Sequence, residues 1–166
     1  FSSTIDRNKH RIPGTVLSEI IEGSRRFFIR MQEQGVNIEY LGGETADVGD
    51  LVRTIAVNGT LTARWPKNRI ISNERIKAGD VIVGLASFGQ SVYEDRYNSG
   101  IASNGLTSAR HDLLTNQYAH DYPETFESTM DRSVVYTGPY RLTDPVPGMS
   151  DLNIGQLLLS PTRTFA

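Results

Sequence analysis

From Pro13 to Gly35 the apolar residues Leu17, Ile20, Ile21, Phe27, Phe28 and Met31 recur at helical spacing, with Glu19, Glu22, Arg25, Arg26, Arg30 and Glu33 opposite them. The spacing predicts an amphipathic helix. Pro13 suits a first helical position and Gly35 a C-terminal cap, so both ends carry their own signal. Val36 to Leu41 then reads as a short strand entering Gly42-Gly43. Beyond it the period changes to two: Leu51, Ile55, Val57, Leu61, Ala63 and Trp65 share one parity, Thr54, Asn58, Thr60, Thr62 and Arg64 the other. This predicts a long, curved strand of a barrel or strongly twisted sheet, with a bulge or tight turn at Asn58-Gly59.

Lys77-Ala78-Gly79-Asp80 breaks the alternation, and VIVGLAS over Val81 to Ser87 reads as a buried strand. A boundary near Gly79 divides the chain into lobes 1–78 and 79–166. Gly89 to Gly100, polar and rich in Tyr, Asp and Gly, reads as a surface loop, and Ser103 or Asn104 as the cap of a helix starting near Leu106. Asp121 to Asp151 is proline-rich with little periodicity, and is expected to be mostly loop.

Composition narrows the partners. The chain has 166 residues, 17 basic and 19 acidic, so it lacks the electrostatic footprint of a nucleic-acid or anionic-membrane binder, and small molecules are the expected ligands. It contains no cysteine, which excludes disulfides, thiolate metal sites and a thiol nucleophile. No apolar run approaches the roughly 20 residues of a membrane span, and the N-terminus has no signal-peptide layout. These features point to a soluble, cytoplasmic protein.

Three short motifs suit phosphate chemistry. In Leu41-Gly42-Gly43-Glu44-Thr45 the glycines let a backbone approach a ligand and the carboxylate is a hard oxygen ligand for Mg2+. The plainer reading is a glycine-rich turn with a solvated glutamate, and the four residues alone favour it. Ser103-Asn104-Gly105 ahead of a helix suits phosphate binding, or serves as a simple cap. Thr162 and Arg163 offer a hydroxyl and a guanidinium side by side, or a helix start with a surface arginine. His10, His111 and His120 show no ligand spacing and read as exposed or satisfied surface residues, the basic cluster Arg7, Lys9, His10 and Arg11 reads as a solvated face, and no P-loop, Rossmann or HExxH motif is present.

Taken in order, LGGETADVGDLVRT, AGDVIVGLASFG, SNGLTSAR and LLLSPTRTFA resemble the aminoimidazole ribonucleotide synthetases, or phosphoribosylformylglycinamidine cyclo-ligases. That family carries GGETAEMPG, GDVLIGLxSSGxHSNGxSLxR and LLxPTRIY segments in the same order. The resemblance implies an α/β (α+β) fold of two lobes, the first with a barrel-like dimerisation sheet. It also implies a homodimer that uses Mg-ATP to close formylglycinamidine ribonucleotide into the imidazole ring of purine biosynthesis. By position, Glu44 looks like the Mg-ATP ligand, with Gly42, Gly43 and Thr45 shaping its loop. Ser103, Asn104 and Gly105 look like a substrate-facing turn, and Thr162 with Arg163 like part of a phosphate-binding region.

The sequence departs from the family where Asp47-Val48-Gly49-Asp50 lacks the proline and where Ala102 replaces a histidine. An insertion also lies between Gly89 and Ile101, where Gln90, Tyr93 and Tyr97 are the nearby candidates to replace the histidine. The family's DGxGTK and TGGG segments lie outside these residues, so the chain reads as an internal piece of a longer enzyme, inactive alone. Other readings are a sister ATP-using enzyme (selenophosphate synthetase, thiamine-monophosphate kinase or formylglycinamidine synthetase-like) and a non-catalytic dimerisation module.

Overall fold

A computed structural model describes residues 1–163, apart from the side chains of Ser103 and Asn104. It is a mixed α/β chain with four α-helices and two small sheets among the described residues, and it divides into units 1–84 and 85–166.

The first unit is built on β1 (Ser2–Arg7), α1 (Gly14–Glu33), β2 (Gly43–Asp47) and β3 (Ile55–Thr60). The sheet order is β2-β1-β3, with β1 parallel to β2 and antiparallel to β3. A parallel pair needs a long crossover, which α1 supplies. The buried apolar side chains are Ile5 of β1 and Phe28 and Met31 of α1. Phe28 stacks on Tyr40 with ring centroids 5.6 Å apart and meets Phe1 at 4.8 Å.

Helix α1 follows its sequence signals closely. Pro13 is the N-cap rather than the first helical residue, and Gly35 at φ +86° closes the helix. There Gly35 N donates to Gln32 O at 2.9 Å and Val36 N to Met31 O at 3.0 Å, the paired bonds of a Schellman motif.

The sheet departs from expectation in three places. Val36–Leu41 is not a strand; GETAD itself is, because β1 offers it a parallel edge. The long alternating run yields only Ile55–Thr60, and Asn58-Gly59 continues the ladder opposite Thr4 and Ser3 with neither turn nor bulge. A Cβ at Gly59 would lie 2.5 Å from the tip of the Phe1 ring, so the ring packs over the bare backbone there. No barrel forms: three strands do not close, and residues 61–65 have no strand partner among those described. The Lys77–Asp80 turn forms as expected, with Gly79 at φ +98° and Asp80 Oδ2 accepting from Lys77 N at 3.0 Å. The VIVGLAS run beyond it is neither strand nor buried, with Ile82 fully exposed.

The second unit contains α2 (Ala102–Leu113), α3 (Gln117–Asp121), the hairpin β4 (Pro145–Val146) and β5 (Met149–Asn153), and α4 (Ile154–Leu158). Its core joins Leu114, Ala119, Phe126, Val135, Tyr136, Ile154 and Leu158. The 121–151 segment is mostly irregular as expected, yet it supplies Phe126, Val135 and Tyr136 to this core. It also caps α2, whose C-terminal region carbonyls at His111, Leu114 and Leu113 accept from Thr137, Gly138 and Tyr140. Helix α4 starts with a reciprocal capping box between Asn153 and Gln156. No helix among the described residues is long and apolar enough to cross a membrane.

Candidate functional site

In the first unit the glycine motif lies on an edge strand, and each glycine has a backbone reason to be there. Gly42 adopts φ +82°, in the left-handed region that favours glycine. A Cβ on Gly43 would sit 1.7 Å from the Ser3 carbonyl oxygen, so only glycine allows β2 to approach β1 this closely. Glu44 is exposed and pairs in register with Thr4; its Oε1 accepts from Thr45 N at 3.2 Å. No cation pairs with it among the described residues. Asp47, by contrast, is already engaged: Lys9 Nζ lies 3.0 Å from Oδ2 and Lys9 N donates to Oδ1 at 3.1 Å, which lowers the Asp47 pKa. Gly42, Gly43, Glu44 and Thr45 border a cavity of about 220 Å3 whose other walls include Ser3, Ile21 and Tyr40.

The basic cluster is structural in part, since Arg7 Nη1 donates to Ile12 O at 2.6 Å and Lys9 holds Asp47. Among the described residues no three His, Cys, Asp or Glu side chains form a metal cage. A divalent ion at Glu44 would therefore rest on one carboxylate completed by nucleotide phosphates and water, the usual manner of Mg2+. The exposed, unpaired carboxylate fits that role.

In the second unit α2 begins at Ala102, earlier than the sequence suggests, and its N-cap Ile101 makes no side-chain cap bond. Ser103 and Asn104 thus fall in the first helical turn rather than ahead of it, and their side chains lie outside the described residues. Gly105 follows them, and a Cβ there would meet Ile101 Cγ2 at 3.3 Å. Ala102, standing where the family has histidine, takes φ +58°, a conformation costly for a residue with a Cβ. The approach to it is held from outside: Gly100 N donates to Asn98 Oδ1 at 2.9 Å and Ile101 N to Ser99 Oγ at 3.2 Å.

The insertion is more than a surface loop. Asn98 is buried, exchanges backbone hydrogen bonds with Gly89, and donates from Nδ2 to Glu94 Oε1 at 2.9 Å and Pro161 O at 2.8 Å. Glu94 forms a buried ion pair with Arg163, Nη2 to Oε2 at 2.7 Å, with side chains only 8% and 10% exposed. Arg163 also donates from Nε to Glu94 Oε1 at 3.4 Å, from Nη1 to Ala86 O at 3.1 Å and Phe88 O at 3.2 Å, and from Nη2 to Gly89 O at 3.0 Å. These bonds use all five donors of a guanidinium. Arg163 is therefore neither a surface residue nor, in this arrangement, open to a phosphate; Thr162 beside it is exposed.

Burial would raise the Glu94 pKa, but hydrogen bonds from Ser91, Arg163 and Asn98 outweigh it and hold the carboxyl down to about 2. The pair was missed in the sequence because Glu94 and Arg163 are 69 residues apart and neither motif spacing nor periodicity connects them.

Among the candidates to replace the family histidine, Gln90 spends its amide on Glu94 O at 3.0 Å and Tyr93 is also engaged. His111 is not the surface residue expected but is buried against Tyr136, with Nδ1 accepting from Tyr136 N at 3.3 Å; burial and then the nearby Arg110 charge lower its pKa and favour the neutral ring.

No protein-family model matches the chain. It is similar to phosphoribosylformylglycinamidine cyclo-ligases from several organisms. It is 34% identical over 109 residues to that of Thermoplasma acidophilum, covering 62% of this chain and 29% of that protein. The match to the Methanocaldococcus jannaschii enzyme is 46% over 74 residues, 45% of this chain and 18% of the relative. The match to the Pyrococcus furiosus enzyme is 33% over 128 residues, 75% of this chain and 33% of the relative. The chain spans a third or less of the length of these relatives.

Proposed function

We propose that this chain, a relative in sequence of the phosphoribosylformylglycinamidine cyclo-ligases, is part of an enzyme that uses Mg-ATP to convert formylglycinamidine ribonucleotide into aminoimidazole ribonucleotide. The observation that carries the reading is the exposed Glu44 on β2, free of any cationic partner among the described residues, within a motif shared with the family. Transfer of the ATP γ-phosphoryl group to the formyl oxygen would give ADP and an activated carbon. Attack there by the neighbouring nitrogen would form the ring C–N bond and release phosphate and a proton. Such chemistry asks the protein chiefly for positioning and charge stabilisation.

In this reading Glu44 holds Mg2+, while Gly42, Gly43 and Thr45 set the strand that presents it. Ser103, Asn104 and Gly105 are the proposed substrate-facing turn. Arg163 supports that turn through Glu94 and Asn98, and Thr162 alone of the pair is left to meet phosphate. A cytoplasmic setting and a second copy as partner belong to the same proposal. The latter is supported by the exposed apolar side chains of the first unit from Leu61 to Val83.

The test is isothermal titration of Mg-ATP into the intact protein and its Glu44→Gln variant, beside an assay for the imidazole product. The wild type should bind and turn over; the variant should bind Mg-ATP at least about 10- to 100-fold more weakly, the range seen when even outer-shell metal partners are lost. Equal binding by both would remove Glu44 from the site. Binding of Mg-ATP without the imidazole product would redirect the reading to a sister ATP-using activity.

A further inference from the structure

We propose that a groove in the second unit, about 340 Å3 in volume, binds a small arylalkyl carboxylate. Its size lies at the lower end of the range for small-molecule sites. The walls are apolar, with Leu106, Leu114 and Leu158 beside the stacked rings of Tyr118 and Tyr122, whose centroids are 6.3 Å apart. The charge comes from half-buried Arg110.

Arg110 Nη1 donates to Thr125 O and to Tyr136 Oη, both at 3.2 Å, and no carboxylate pairs with it among the described residues. Its Nε and Nη2 donors remain, the edge of a guanidinium that takes a carboxylate in bidentate fashion. The two hydroxyls bonded to this network, those of Tyr136 and Thr125, are not available as donors. Tyr136 Oη donates to Thr125 Oγ1 at 2.8 Å, and Thr125 Oγ1 donates onward to Tyr122 O at 2.7 Å.

A groove with apolar walls and a single unpaired cation matches a ligand with an apolar body and one negative charge. A phosphate dianion brings more charge and more acceptors than these donors can meet. An unpaired cation against apolar surface is itself unfavourable, and a carboxylate removes that cost. The groove shares no lining residue with the cavity at Glu44, and the proposed binding does not depend on nucleotide chemistry.

The experiment is an NMR titration of the methyl-labelled full chain with hydrocinnamate, with its neutral amide hydrocinnamide and with phenyl phosphate, in the absence of nucleotide. Hydrocinnamate should shift the Leu106 and Leu158 methyls and bind at least about 10-fold tighter than the amide, the worth of one good charge-assisted contact. Arg110→Gln should erase that preference. Since Arg110 also braces Thr125 and Tyr136, Leu159→Glu is the second variant: Leu159 is 77% exposed at the mouth, so the change spares the core while repelling an anion. It should weaken hydrocinnamate more than the amide. Equal affinity for acid and amide, tighter binding of phenyl phosphate, or indifference to Leu159→Glu would each overturn the proposal.

Discussion

Arg163 and Glu94 show how a residue's role turns on its partners. A guanidinium beside a threonine suits phosphate, yet here its five donors meet one carboxylate and three carbonyls. Breaking such a buried pair by removing one charge costs about 3–5 kcal/mol, so Glu94→Gln should lower stability by that order in urea titrations at neutral pH. Acid should act on the same contact. The folded carboxyl titrates near 2 against a reference of 4.5, so the unfolded chain takes up the proton first. The stabilisation is complete above the unfolded pKa and is lost as pH falls from about 4.5 towards 2. The Glu94→Gln protein should lack that acid-sensitive component; an unchanged pH profile in the variant would exclude Glu94 as its source. Gly43 is a second case of a plausible ligand-loop glycine with a backbone explanation. Gly43→Ala should destabilise by about 1–3 kcal/mol through overpacking against Ser3, measurable as a lower denaturation midpoint.

At the scale of elements, local signals succeeded where the chain itself satisfies them. Helix α1 begins and ends where Pro13 and Gly35 indicate, because cap chemistry involves only residues in sequence contact. Gly35→Ala places a Cβ at φ +86° and should cost about 1 kcal/mol, read as a shift in thermal midpoint and earlier fraying of the last turn in hydrogen exchange. Strand β2 was hidden because Gly, Glu, Ala and Asp are poor strand formers, and pairing with β1 overrides that preference. The reverse holds for VIVGLAS, whose composition favours a strand that has no partner among the described residues. The insertion looked like loop because its order comes from Asn98 and Glu94, polar residues that read as solvent-facing until a distant arginine buries them.

For the whole molecule, the two units differ in how they cover apolar surface. The second unit encloses a contiguous core, whereas in the first unit Leu61, Trp65, Ile71, Val81 and Ile82 are exposed. Large apolar side chains exposed in such number are the raw material of an interaction surface, and a second copy is the partner proposed above. Sedimentation velocity should show a dimer that Ile82→Asp shifts to monomer with an unchanged circular dichroism spectrum, since Ile82 has no burial to lose. A monomeric wild type at all concentrations would exclude that partner.

The sequence by itself determined the helix of the first unit, the turn at Gly79 and the motif order that links the chain to the cyclo-ligases. Each depends on neighbours in the chain or on residue identity alone. Only the tertiary structure decided that GETAD is a strand, that Gly43 serves backbone contact, that Arg163 is saturated by Glu94 and three carbonyls, and that Arg110 has no carboxylate partner among the described residues that line its apolar groove. Those facts depend on which distant groups meet, and hydrogen-bond donors and buried charges are assigned by that meeting.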